Sequence, residues 1–330
     1  MTASTQALPL ERPAWYARPA PVAYLLILCT CLLAAFVYKL RIDGVFACPA
    51  SGYGADAYLS DCTASNFGDY DHGAFWFGLE PQAQRSAGAA DVLFIGSSRL
   101  QFALSGAPRE QWFGALGISH YLLGFSHSET VSYFGPLLAR LKPRAKVYVL
   151  NVDRLFDDRV TAPTEQLLHG HDARQRYEDK RNWQAIHARV CGAAPALCGK
   201  AVAVYRARTD GTWRRLGTAP FAGQGTSEGQ PSNVERWERY AALAEAFVTQ
   251  LPVERGCVIL TLVPTVQTKR AEAQAIAAKL GMPLVSPQLD GLQTFDGSHL
   301  DEASAARWAS AFFQAAGPQL RQCARGGAAG

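Results

Sequence analysis

No two cysteines are spaced Cys-x-x-Cys, which takes the zinc-ribbon class of site out of consideration. No stretch interleaves dense lysine and arginine with aromatics, and a net charge of +4 is small for 330 residues. A nucleic-acid-binding surface is therefore not expected. Internal repeats and low-complexity tracts are also missing, which excludes solenoids and arrays. Charged residues are scarce, at 18%, while hydrophobic residues reach 48%. That balance is wrong for a disordered chain and sufficient for one sizeable core, so one main domain with appendages is the simplest organisation.

What is present begins with Val22 to Val37, an uncharged apolar run. With Pro19 to Tyr38 included, it reaches the ~20 residues that cross a bilayer core. Trp15, Tyr16, Tyr24 and Tyr38 cluster near its ends, as interfacial aromatics do. The competing reading is a cleaved signal peptide. Against it, the run is followed at once by Tyr38-Lys39-Leu40-Arg41 rather than by small residues, and the nearest candidate site, Val45-Phe46-Ala47, lies beyond that basic flank. The expectation is an N-terminal tail over 1–21 and one membrane-spanning helix over 22–40. Arg12 and Arg18 against Glu11 on one side, and Lys39 and Arg41 against Asp43 on the other, leave the charge rule for orientation nearly tied. Cysteine usage breaks the tie. Cys29 and Cys31 fall within the apolar run, leaving an even set outside it: Cys48, Cys62, Cys191, Cys198, Cys257 and Cys323. An even set suits disulfides in an oxidising compartment, with pairing by proximity joining Cys48 to Cys62, Cys191 to Cys198 and Cys257 to Cys323. The alternative is buried free thiols.

Residues 41–89 are rich in Gly, Ala, Ser and Asp and read as a loop-rich connector. From Asp91 the pattern becomes regular: strand 91–96, a short helix from Arg99, strand 119–123, helix 128–141, strand 146–152. Such alternation predicts a parallel sheet covered by helices. Residues 154–231 break the rhythm and read as an insertion. Helix 233–250, strand 257–263, helix 266–280 and a final helix from Asp301 restore it, with the main domain over 90–320 and a flexible tail over 321–330.

Two short blocks carry candidate chemistry. Gly96-Ser97-Ser98-Arg99 follows the apolar run Asp91 to Ile95, and the carboxyl end of a parallel strand is where open α/β sheets hold reactive groups. Asp296-Gly297-Ser298-His299 places a carboxylate three residues from an imidazole, able to hold that ring and set its tautomer. Together they supply a nucleophile, a base and an orienting acid. Each member has a plainer reading. Ser98 can be a helix N-cap, His299 a packed loop histidine, and Asp296-Gly297 an ordinary turn. Ser97 is the alternative nucleophile. His169-Gly170-His171-Asp172 lacks a placed third metal ligand and reads as a solvated loop. His127 either lines a pocket or caps the helix beginning near Ser128. Arg174, Arg176, Arg181, Arg206 and Arg208 read as exposed charge in the insertion, with an anionic substrate or lipid surface as the functional alternative.

These two blocks resemble those of the SGNH (GDSL-like) hydrolase superfamily, with Val92 to Arg99 similar to its nucleophile block and Asp296 and His299 to its closing Asp-x-x-His. The resemblance covers 90–155 and 255–318 and says nothing specific of the middle. It implies a three-layer, flavodoxin-like α/β fold with Ser98 as nucleophile, His299 as base then acid, and Asp296 orienting it. The oxyanion hole it implies uses the Ser98 amide, Gly124 in Tyr121-Leu122-Leu123-Gly124-Phe125-Ser126, and an asparagine. Asn151 in Asn151-Val152-Asp153-Arg154 departs from the family's usual Gly-x-Asn-Asp, so Asn151 or a neighbour donates, or that donor is absent. Neither a metal nor a cofactor is implied. Membrane-anchored members resembling this arrangement act on cell-envelope glycans as esterases or O-acyltransferases, often beside a multispanning membrane acyltransferase. The implied location is the inner membrane, with the soluble part in the periplasm. A non-catalytic envelope binding module of the same fold is the alternative.

Overall fold

The computed structural model describes residues 19–217, 222–230 and 233–326. The readings made on Trp15, Tyr16, Glu11, Arg12 and Arg18 lie outside them. Helix α1 (Pro19–Ile42) contains the stretch Pro21–Ile42, with a mean hydropathy of 2.2 and none of its apolar window buried against the domain. It is long and apolar enough to cross a bilayer. It ends in a Schellman motif. Gly44 takes φ +60°, its amide donates to the Arg41 carbonyl, and the Val45 amide donates to the Leu40 carbonyl. A side chain at Gly44 would collide with the Ala64 carbonyl oxygen. Asn66 donates to Asp43 through its backbone and side-chain amides, and the Trp183 indole donates to the Val45 carbonyl. The chain leaving the helix is thus packed into the domain at once.

The stretch read as a loop-rich connector holds β1 (Ala57–Asp61), α2 (Asp71–Phe77) and α3 (Pro81–Ala89). That reading is corrected, and the reason is length. None of the three elements is long enough to display an apolar period, and α3 is built largely on Ala and Gln.

The central chain runs through β2 (Val92–Ser97), α4 (Ser98–Leu104), α5 (Ala107–Leu116), β3 (His120–Phe125), α6 (Val131–Leu141) and β4 (Val147–Asn151). Then come α7 (Ala162–His169), α8 (Ala173–Ala193), β5 (Ala203–Ala207), β6 (Trp213–Leu216) and β7 (Gln224–Gly225). The chain closes with α9 (Val234–Thr249), β8 (Val258–Thr261), α10 (Arg270–Leu280), β9 (Gln293–Thr294) and α11 (Glu302–Ala324). Four strands form a parallel sheet in the order β3-β2-β4-β8. Both faces are covered, so alternate residues of one strand enter different cores. Leu93 and Ile95 of β2 pack with α2, α3, α6, α9 and α10, while Val92 and Phe94 pack with α4, α5 and α11. The chain is a mixed α/β protein with a parallel four-stranded sheet. Between β2 and its neighbours the chain order reverses, which opens a crevice at the carboxyl end of β2.

The segment read as an insertion is built jointly with the connector. β1 pairs antiparallel with β5, and β5 with β6, over a small core of Leu59, Trp183, Ala203, Tyr205 and the Cys48–Cys62 bridge. Arg206 is the clearest departure from the exposed charge expected of it, being fully buried. It grips the Asp71 carboxylate and donates to the Leu122, Gly124 and Gly211 carbonyls. With the Asp210 carbonyl accepting from the Leu122 amide, this closes the free edge of β3. Arg208, Arg174 and Arg176 pair with Glu80, Glu178 and Asp172. Bridges join Cys48 to Cys62, Cys191 to Cys198 and Cys257 to Cys323, while Cys29 and Cys31 on α1 are free thiols. Three disulfides outside the apolar helix accord with an extracytoplasmic domain. Residues 321–324, read as the start of a flexible tail, form the last turn of α11, pinned there by Cys323.

Candidate active site

The strand β2 runs into α4 without a loop, so the serines sit on the strand-to-helix junction. Gly96 is required there, because a side chain would press on Asn151 of the neighbouring strand at 2.8 Å. Ser97 is buried, and its Oγ accepts from the Arg99 amide at 3.3 Å, capping α4. The cap role weighed for Ser98 thus falls on Ser97. Ser98, the first helical residue, is partly exposed, and its amide is among those with no intrahelical acceptor.

Across the crevice, β9 leads into the turn Asp296 to His299. Gly297 holds φ +79°, a conformation glycine adopts without strain, and its amide donates to Thr294 Oγ1. Asp296 Oδ1 accepts from the Ser298 and His299 amides at 2.9 and 2.8 Å, locking its carboxylate. Its Oδ2 lies 2.7 Å from His299 Nδ1, and His299 Nε2 lies 2.8 Å from Ser98 Oγ. The three residues singled out in sequence, 201 positions apart at the extremes of that last contact, are therefore brought into one hydrogen-bonded line. Burial pushes the Asp296 carboxyl up, but the bond and charge of His299 and the two amides outweigh it and hold it below the usual carboxylate range. The imidazole lies between Phe102, edge-on at 5.0 Å between centroids, and Phe295, stacked at 5.4 Å.

The two other residues considered for the oxyanion hole are placed differently. Gly124 lies inside β3, and a side chain there would meet Gln101 Cγ at 2.7 Å and the Ser97 carbonyl at 2.9 Å. Its carbonyl accepts from Gln101 and Arg206. Close packing of α4 on β3 accounts for this glycine. Asn151 is fully buried at the end of β4; its Oδ1 accepts from the Val263 amide at 3.3 Å, while its Nδ2 has no partner.

Several residues beside the triad escaped the sequence reading. Arg99 reaches from α4 to Asp153 at 2.5 Å and to Ser298 Oγ at 2.9 Å, tying the start of that helix to two loops. Arg99 and Asp153 each fall in a block quoted above, but only strand pairing makes them neighbours. His127 and Ser128 both take positive φ, 60° and 53°, in the turn after β3. Helix α6 starts later than expected, at Val131, capped by Thr130, so His127 caps nothing. Below this turn is a buried cluster. His72 lies 3.2 Å from Asp69 and 3.1 Å from Glu129, the latter pair in poor hydrogen-bond alignment, and Glu129 accepts from Thr161 and Thr164. Burial pushes the His72 imidazole down, but its two carboxylates win and raise it to about 10.

No family model, curated protein or solved structure matches this chain. Function has to be argued from the site alone. His169 and His171 are both exposed, and His169 lies 3.9 Å from Glu165. His187, Cys191 and Cys198 lie close enough to share a metal ion, but both sulfurs are tied in a disulfide. What the triad geometry supplies is a hydroxyl with a base in contact and an anchored acid behind it, the requirement for an activated nucleophile.

Proposed function

We propose that the chain is an SGNH-type serine enzyme that carries out ester chemistry on a cell-envelope glycan or related ester, as an O-acyltransferase or esterase. The observation that carries this reading is the line from Ser98 Oγ through His299 to Asp296, with contacts of 2.8 and 2.7 Å. Ser98 Oγ attacks the acyl carbonyl while His299 Nε2 takes its proton. Asp296 fixes the Nδ1 tautomer and stabilises the imidazolium. The Ser98 amide faces the developing oxyanion. Collapse expels the alcohol, protonated by His299, and leaves acyl-Ser98. A glycan hydroxyl or water, deprotonated by His299, then removes the acyl group and restores the serine.

The proposed location is the inner membrane, with α1 as an uncleaved single anchor and the domain in the periplasm. The disulfides support the compartment, and the direct packing of residues 43–45 on the domain supports an anchor that stays attached. A multispanning membrane acyltransferase is the proposed partner, as the source of acyl groups. One observation favours a second reading, a binding module of the same fold. Asn151 is fully buried, so its Nδ2, although unpartnered, is closed off from a substrate at Ser98.

A fluorophosphonate probe separates the two. Full-length protein in detergent is expected to be labelled on Ser98. Ser98→Ala should abolish labelling while remaining folded; Ser97→Ala should keep it, at a cost of about 1 kcal/mol for the lost cap. Labelling that survives Ser98→Ala removes Ser98 as the nucleophile, and a parent that does not label sinks the enzymatic assignment.

A further inference from the structure

Beside the triad lies a cavity of about 470 Å³ that shares Arg99 and Gly297 with the two catalytic turns. Its walls carry five cations: Arg99, Arg154, Arg159, Arg236 and Lys269. Three carboxylates oppose them, and two are already engaged. Asp153 is taken by Arg99, and Asp157 accepts from the Arg159 amide. The third, Glu272, interacts with Arg236. The lining thus carries a net formal charge of +2.

Arg154 is the telling residue. It is exposed at the cavity, its side chain makes no ion pair or hydrogen bond among the described residues, and it holds φ +56°. A bulky side chain in the left-handed region is held against its backbone preference. That strain places a free guanidinium on the cavity wall. Arg159, from the same loop, spends its guanidinium on the His127 and Ser128 carbonyls, which leaves its charge unneutralised. Among the remaining, mostly apolar lining residues, Tyr240, Thr265 and Gln267 offer neutral hydrogen bonds of the kind sugar hydroxyls use.

We propose that this cavity binds the anionic group, a carboxylate or a phosphate, of a glycan whose neighbouring hydroxyl or ester sits at Ser98. The inference rests on the ester chemistry above and adds the substrate class, an acidic glycan. A cationic, half-open cavity favours anions over neutral sugars, and the preference weakens as salt screens it. Planar guanidinium groups match carboxylate and phosphate oxygens two at a time.

The test uses full-length protein in detergent micelles, carrying Ser98→Ala so that nothing is turned over, with binding followed by calorimetry. Hexagalacturonate supplies carboxylates, glucose 6-phosphate supplies a phosphate, and maltohexaose is the neutral control. The expected result is binding of one of the two anions, weakening with added salt, with maltohexaose failing to bind. Whichever anion binds identifies the charged group. Arg154→Gly should weaken that binding about tenfold, as one lost charge-assisted contact implies. The same variant should melt no lower than its parent, because glycine suits φ +56°, so misfolding cannot explain the loss. If it does misfold, Lys269→Gln replaces it with the same expected weakening. Maltohexaose binding as tightly as the anions, neither anion binding, or undiminished binding in the variant would each overturn the proposal. Fluorophosphonate labelling of Ser98 without anion binding removes only the cavity assignment. Anion binding without labelling removes the ester chemistry and leaves the cavity.

Discussion

Asp296 uses both carboxylate oxygens, one on the amides of its own turn and one on His299. The first pair of bonds fixes where the second one points. Asp296→Asn is therefore expected to keep the turn but present an amide to the ring and favour the wrong tautomer. The turnover number against an activated acetyl ester should fall by about three to four orders of magnitude while KM changes little. Steady-state kinetics check this, and a fall of less than tenfold would remove Asp296 from the mechanism. Why this residue was legible in sequence is local: three positions separate it from His299, and one turn sets their geometry. The contact with Ser98 is not local, and it followed only from matching two blocks far apart. Phe102, Phe295 and the Arg99–Asp153 pair were illegible because each acquires its role from sheet packing rather than from spacing.

The same divide holds for the elements. β2, β3, β4 and β8 stood out as short apolar runs because they are buried on both faces, and the helices expected from Asn233 and Asp301 are α9 and α11, which those two residues cap. The strand expected over 257–263 is only Val258–Thr261, since an apolar run does not mark where pairing stops. α2 was invisible for the opposite reason. Six of its seven residues are buried, but Asp71 and His72 are among them, and polar residues mask a buried helix until their partners are known. His72 joins α2 to Glu129 ahead of α6, and through Glu129 to Thr161 and Thr164 at the start of α7. Its folded pKa, about 10, lies above the ordinary 6.5. The stability that this charge contributes is thus fully present below about pH 6.5 and is lost as pH rises through about 10. Unfolding free energies from denaturant titrations should decline between pH 7 and pH 10, by up to ~1.4 kcal/mol per unit, and His72→Gln should flatten that decline. An equal slope in parent and variant would assign the pH dependence to other groups.

For the whole molecule, the placement of the domain outside the cytoplasm is checked at its C-terminus. A reporter that matures only after export, fused behind Gly330, should be active, and one that works only in the cytoplasm should be silent. The reverse pattern would invert the topology and take the compartment argument for the disulfides with it. The junction at Gly44 bears on how such a domain works once it is outside. If α1 is the single anchor proposed, its twenty-two residues measure about 33 Å against a hydrocarbon core of about 30 Å, so the helix would lean. With no slack between Ile42 and the packed residues 43–45, the lean is handed on whole, and the domain moves as the far arm of a lever pivoting in the lipid. Membrane thickness then becomes an input to the aim of Ser98: a thinner bilayer tips the crevice further over, a thicker one stands it upright, and no residue of the site has to change.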